Sequence, residues 1–350
     1  MQKLTRILIA SLALALLVGV SASSTNAAEA NATRFVVDNE MELNLDLPFE
    51  EIGQLLRVDL GNDGVDELVI SSGFNEAPTI AILRLDGSRI DEFIAFAPDY
   101  KRGITITVGD YDGDGEMSIV ASTMQGGGPH VRVFNVFGEL EDQFFAYNQA
   151  FTGGVNLATA DIDGDGIDEI VTAAGLGGGP HVRVVRPSGM LVAEFFAYDA
   201  SDNAGVSVTR IDENENGKDE LVVAHYGLGN PEASVVRFDV FNMASISAPF
   251  SLYENYNYGV SLFPIDDTTF GVSPNGNENQ DIKMFNANGT LVLNRATFEQ
   301  EYTGRVHVAA KNVDSIIATK ARPVLFERLD KHILVNLDEQ RLYALDNGVI

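Results

Sequence analysis

Four stretches of this chain open a glycine-containing turn with Asp and place further oxygen-bearing side chains at alternate positions within it, most fully in two of them, a pattern suited to gripping a cation. In the fullest, Asp161, Asp163 and Asp165 stand at positions 1, 3 and 5, Gly166 at position 6 and Glu169 at position 9. Carboxylates two residues apart can surround one ion only if the backbone curls tightly, and glycine at position 6 permits that curl. The carbonyl at position 7, of Ile167, would add another oxygen. An all-oxygen cage of this kind suits Ca²⁺ better than Zn²⁺ or Mg²⁺. The other turns are poorer. One has Asp212, Asn214, Asn216, the Lys218 carbonyl and Glu220; a second has Asp110, Asp112, Asp114 and the Glu116 carbonyl, with Ser118 at position 9. The last has Asp59, Asp63, the Val65 carbonyl and Glu67, with Gly61 at position 3. The expected order of occupancy is Asp161 first, Asp212 and Asp110 next, Asp59 last. The alternative for each is an Asp/Gly turn without metal.

The pattern is not that of an EF-hand, which needs a bidentate Glu at position 12, where this chain has Thr172. Strands rather than helices flank the turns. Affinities of about 10⁻⁴–10⁻³ M, as in extracellular modules, are expected. The ion's expected role is structural: it cancels carboxylate repulsion and pins one strand to the next.

The turns begin at Asp59, Asp110, Asp161 and Asp212, each 51 residues after the last. Pro78, Pro129, Pro180 and Pro231 keep the same interval, and Phe144 to Tyr147 recurs as Phe195 to Tyr198. Three landmarks with one period mark a structural repeat. Within it, Ile104–Val108 and Val155–Thr159 alternate like strands, Ile119–Ala121 and Ile170–Thr172 are apolar runs after the turn, and His130–Phe134 alternates again. The Phe-Phe-Ala-Tyr segment is the fourth strand, and no helical period is present. Four strands in about 50 residues, repeated, predict an all-β propeller of four-stranded blades.

The repeat fades toward both ends. Asp266 enters a turn that Asp267 and Thr268 cut short, and Lys311 stands where a further first Asp would be. The last blade lacks its outer half, and residues 34–38 and 43–47 resemble the missing strands. Closure of the ring by these N-terminal strands would remove exposed sheet edges and gives an expected count of six blades. An open solenoid, or a five-blade ring with loose strands, is the alternative.

Composition bounds the partners. The formal net charge of −28 disfavours nucleic acid and anionic membrane and favours cations. With no Cys there is no disulfide and no thiolate chemistry. Lys3 and Arg6 precede an apolar run, Ile7 to Val20, that is short for a membrane span, and Thr25 to Ala27 offers a cleavage site. Residues 1–27 are therefore expected to be an export signal, with an uncleaved anchor as the alternative, and residues 28–33 a linker. The chain is expected to be secreted, periplasmic or in the cell envelope, with no membrane span after cleavage.

With the Asp-x-Asp-Gly-Asp-Gly-x-Asp-Glu turn and the Gly-Gly-Gly-Pro segments at Gly126 to Pro129 and Gly177 to Pro180 in hand, residues 34–323 resemble the FG-GAP family, of integrin α-like and bacterial VCBS type. The resemblance implies a propeller with calcium on loops between the first two strands of a blade. A second resemblance covers His332 to Gly348, which looks like the opening hairpin of an L,D-transpeptidase domain, so that residues 324–350 would be a linker and the first hairpin of a truncated catalytic domain. That family's nucleophile is a Cys, and this chain has none. A final edge hairpin packed on the ring is the other reading.

His130 and His181 head alternating strands of different repeats and are expected to pack or line a rim. Arg132 and Arg183 are expected to pair with nearby acids. The Phe-Phe-Ala-Tyr aromatics suggest a sugar platform but are expected in the inter-blade core. Two functions fit: a calcium-binding cell-envelope scaffold presenting loops to wall glycan, peptide or a surface protein, and the N-terminal part of a peptidoglycan L,D-transpeptidase. A stand-alone integrin-like adhesin is a third.

Overall fold

Short alternating or continuously apolar runs, each ended by a glycine turn, build only strands here. The computed structural model describes residues 35–37, 41–43, 45, 47–227, 234–240, 244–245, 250–254, 256, 258–276, 281–296, 305–313, 315–321, 332–336 and 341–345. Every regular element among them is a β-strand. The expected signal and linker, residues 1–33, lie outside the described residues. Among the described residues no helix is long and apolar enough to cross a membrane.

The first three sheets follow one plan. They comprise Ile52–Val58, Glu67–Ser72, Thr79–Arg84 and Arg89–Ile94; then Ile104–Gly109, Ser118–Thr123, His130–Phe134 and Leu140–Phe145; then Val155–Ala160, Glu169–Ala174, His181–Val185 and Leu191–Phe196. In each, strands pair antiparallel in chain order. The second strand is buried almost throughout, as from Glu169 to Ala174, and the fourth alternates between exposed and half-buried. A strand buried on both faces reads as a continuous apolar run, which is why Ile170 and Val171 lie next to each other in the core. The cores sit between neighbouring sheets: Val171, Val182 and Val184 of the third pack with Val206, Val208 and Leu221 of the fourth.

The sheets form a closed β-propeller. Innermost strands pack on their neighbours from Ile52–Val58 round to Arg305–Asn312, which returns to Ile52–Val58. A belt of hydrogen bonds follows the same circuit. Ser71 Oγ donates to Ile104 O, Thr105 Oγ1 to Val155 O, and Asn156 Nδ2 to Val206 O. Ser207 Oγ accepts from Leu262 N, Ser273 Oγ donates to Val306 O, and His307 Nε2 meets Ile52 O at 3.1 Å. These bonds satisfy buried polar groups that would otherwise cost about 1–3 kcal/mol each.

The N-terminal strands complete the last four-stranded sheet as expected. Phe35–Val37 pairs with Ser315–Ala321, Phe35 opposite Thr319, and Met41–Leu43 pairs with Phe35–Val37. The outermost strand lies at 41–43, two residues before the expected start. Of the six four-stranded blades expected, five are four-stranded sheets, and the one that begins at Val206–Ile211 is corrected to a five-stranded sheet. Its outer edge is divided between Ala244–Ser245 and Phe250–Ser251, both paired with Ser234–Asp239. His332–Asn336 and Arg341–Leu345 form an antiparallel hairpin that is a two-stranded sheet of its own.

Candidate metal centres

Each acidic turn joins the innermost strand of a blade to the next strand outward, so pairing of those two strands fixes its ends. In the third blade Ala160 lies opposite Glu169, and the turn between them spans Asp161 to Asp168. Asp161 organises it. Its Oδ1 accepts from Gly164 N at 2.7 Å and Asp165 N at 3.2 Å, and its Oδ2 from Gly166 N at 2.9 Å. Asp163 Oδ1 accepts from Asp165 N, and Asp165 Oδ1 from Ile167 N. The backbone turns left-handed twice, at Gly164 (φ 76°) and Gly166 (φ 82°). Position 4, as well as position 6, therefore calls for glycine.

The result is convergence. One oxygen each from Asp161, Asp163 and Asp165 lies within 4.8 Å of the others, and the same holds for Asp110, Asp112 and Asp114. In the second trio Asp110 accepts from Gly113 N and Gly115 N, and Asp114 from Glu116 N. Three carboxylate oxygens on a partly exposed turn, with no nitrogen or sulfur among them, fit a hard divalent cation.

The remaining expected ligands fall differently. Glu169 is buried and its Oε2 accepts from Ile162 N at 3.2 Å, so it caps the turn's second amide and stands outside the trio. Glu67 and Glu220 take the same place on Leu60 N and Glu213 N. Burial, reinforced by Asp163, Asp161 and Asp165, pushes the Glu169 carboxyl up to about 7. Asp212 accepts from Asn216 N and Gly217 N, and Asn216 from Lys218 N, while Asn214 Nδ2 donates to Glu220. Asp59 accepts from Asp63 N and Gly64 N, and Asp63 from Val65 N. At position 4 these two turns carry left-handed non-glycine residues, Glu215 (φ 55°) and Asn62 (φ 50°).

Position 8 carries a further carboxylate that the ligand pattern of the turn does not use. Asp168 N donates to Asp110 O and Asp168 Oδ2 accepts from Asp110 N, both at 2.8 Å, so the third turn clasps the start of the second. Asp219 does the same to Asp161, at 2.8 and 2.9 Å. Burial raises the Asp168 carboxyl to about 6 against the opposing pull of the Asp110 amide. Side chains support the clasp. A Cβ on Gly113 would meet Ile167 at 2.9 Å, and one on Gly164 would meet Lys218 at 2.8 Å. The signal was present in the sequence as Asp66, Asp168 and Asp219, 51 and twice 51 residues apart. Its partner was not, since it lies in the preceding repeat. Met117 holds position 8 of the second turn, and Asp66 of the first binds Arg57 Nε at 2.7 Å and Lys311 Nζ at 2.8 Å.

A cavity of about 530 Å³ lies among the innermost strands, lined in part by Thr105, Asn156 and Ser207. Those polar groups are committed to the inter-blade belt. His130 and His181 are half-buried and stack on Phe145 and Phe196. Arg183 Nε pairs with Glu194 as expected. Among the described residues Arg132 meets no acid; its Nη1 donates to Ala95 O and its buried Nε has no hydrogen-bond partner, because Gln143 stands where the next blade has Glu194. The Phe-Phe-Ala-Tyr segments divide. Phe144 and Phe195 pack between blades, Tyr147 and Tyr198 donate to backbone carbonyls of the next blade, and Phe145 and Phe196 are exposed.

No family model and no curated protein matches the chain. Among solved structures it is similar to a chain of the COPII outer coat vertex on membranes, with TM-score 0.50 and 9% identity over 94% of this chain and 94% of that one. It is also similar to a protein of unknown function from Bacteroides caccae, with TM-score 0.48 and 13% identity over 76% of this chain and 89% of that one. The propeller of Dos1 follows, at TM-score 0.41 and 11% identity over 80% and 67%. At these identities the likeness concerns fold alone.

Proposed function

We propose that this chain is an exported, calcium-stapled propeller that serves as a binding or scaffold module of the cell envelope. The reading is carried by the convergence of Asp161, Asp163 and Asp165, and of Asp110, Asp112 and Asp114, within 4.8 Å. Such carboxylate sets repel one another and are stabilised by a shared divalent ion. Millimolar calcium outside the cell would fill weak sites, and the apolar run at Ile7 to Val20 supports export. On this reading further ions would bind at Asp212 with Asn214 and Asn216, and last at Asp59. A repeated, metal-pinned ring is a rigid frame for presenting loops to a ligand. The FG-GAP resemblance agrees with this role.

The hairpin of His332–Asn336 with Arg341–Leu345 supports a link to peptidoglycan L,D-transpeptidases, in which the propeller would position the catalytic domain on its wall substrate. Catalysis would need a Cys that these 350 residues do not contain. Thermal unfolding in calcium and in chelator tests the metal reading: calcium should raise the melting temperature by several degrees. Identical melting curves would remove it. Cell fractionation of a tagged chain tests export, and retention in the cytoplasmic fraction would overturn it.

A further inference from the structure

Two equivalent aromatic surfaces lie outside the acidic turns. Phe145 and Phe196 end the outermost strands of adjacent blades and are 46% and 50% exposed. Isolated exposed aromatics are ordinary, but these two are built alike. Each ring stacks on an imidazole: Phe145 on His130 at 4.8 Å and 22°, Phe196 on His181 at 4.7 Å and 17°. Behind each imidazole stands an aromatic ring at the end of the preceding blade, Phe96 at 5.8 Å and Tyr147 at 5.5 Å. Over that ring lies a guanidinium, Arg132 at 5.2 Å and Arg183 at 5.6 Å, anchored to the carbonyls of Ala95 and Ala146. The phenyl rings are thus held from behind before any ligand arrives, which lowers the cost of binding.

The rims are polar and low. Gln143 and Glu194 are exposed on the same strand face as the phenyl rings, two residues away, and each meets its histidine Nε2 at 3.1 Å. Gly179 leaves one edge of its ring bare: a Cβ there would touch Phe196 at 3.4 Å. An immobilised aromatic face edged by an amide at one platform and a carboxylate at the other suits a pyranose, whose axial C–H bonds lie on the ring while its equatorial hydroxyls reach the rim. Two copies on neighbouring blades suit a polymer with a repeating unit. The net charge of −28 favours a neutral chain over an acidic one. The first blade has Ile94 at the equivalent place and no platform.

We propose that Phe145 and Phe196, on their His130 and His181 supports, are twin platforms for the sugar rings of a neutral polysaccharide. The proposal rests on the binding-module reading and not on calcium. It is tested by calorimetric titration of the full chain with chitohexaose, alongside retention on isolated peptidoglycan sacculi. Phe145→Ala or Phe196→Ala should weaken chitohexaose several-fold, and the double variant should lose both binding and retention with its melting temperature unchanged. Phe145→Leu with Phe196→Leu keeps the apolar area but not the flat ring, and should fail as well. Full binding by the leucine pair would overturn stacking. Sacculi retained by the double alanine variant would overturn the platforms and leave the module standing, as would capture of free wall peptides in place of chitohexaose. Neither titration nor retention by the unaltered chain would remove the proposal and the module together.

Discussion

The Asp161 and Asp59 turns share one backbone plan yet resolve their charge in opposite ways. In the first, three carboxylates converge, glycine fills both left-handed positions, and position-8 carboxylates clasp the turn's start and that of its predecessor. In the second, Gly61 replaces the middle acid, Asn62 takes a left-handed position, and Arg57 and Lys311 neutralise Asp66. Lys311 comes from the last blade, at the place where a first Asp would stand. The ring's seam thus uses the chain's own cations, while its middle gathers acids that the proposed calcium would neutralise. One turn plan can therefore carry its acids either paired with side-chain cations or gathered without them.

The comparison breaks most readily at position 1. In calcium, Asp161→Ala should cost about 3 kcal/mol, because three backbone amides lose a charged acceptor and the ion loses a ligand; Asp59→Ala should cost roughly half of that. Denaturant titration measures both, and in chelator the two costs should approach each other. Equal costs in calcium would count against an ion at Asp161.

Gly109→Ala probes the clasp. Its Cβ would lie 2.4 Å from Thr159 Cγ2 and 2.8 Å from Asp168 Oδ2, so a loss of about 2 kcal/mol is expected. Gly61→Ala meets nothing nearer than 3.9 Å and should be nearly neutral. Gly61→Asp goes further, since it supplies the missing acid and should raise that turn's calcium affinity roughly tenfold in a titration.

The pH response separates the metal-free and loaded states. Glu169 is raised to about 7 in the fold by burial and by the three aspartates. The folded chain thus holds a proton that the unfolded chain releases near the ordinary carboxyl value. In chelator its contribution is full on the acid side and is lost as pH rises through about 7. Melting temperatures between pH 5 and pH 8 should show this fall, to which Asp168, raised to about 6, adds, and Glu169→Gln should reduce it, leaving the Asp168 part. The smallest effect lies in the Asp212 turn, where Glu215 sits at φ 55°. Glu215→Gly should stabilise by about 1 kcal/mol in denaturant titration.

Much of this was legible in the sequence because it is local. The 51-residue period fixes strand order, and alternate aspartates before glycine fix the turn. Ring closure was legible because residues 34–38 resemble third strands, and Phe35–Val37 takes that place. The rest depends on neighbouring repeats. Asp168 gains its meaning from the Asp110 backbone, which is 58 residues away. The adjacent pair Phe144 and Phe145 looks uniformly apolar, yet strand alternation sends one inward and one out. Arg132 and Arg183 sit in identical segments, and only their cross-strand partners, Gln143 and Glu194, decide which one gains an ion pair.

Native mass spectrometry of the chain across a calcium titration tests the central claim most directly. Two ions should bind first, one lost in Asp161→Ala and one in Asp110→Ala, with the count unchanged in Asp59→Ala. An ion-free chain in millimolar calcium, or a count that none of these substitutions alters, would contradict it.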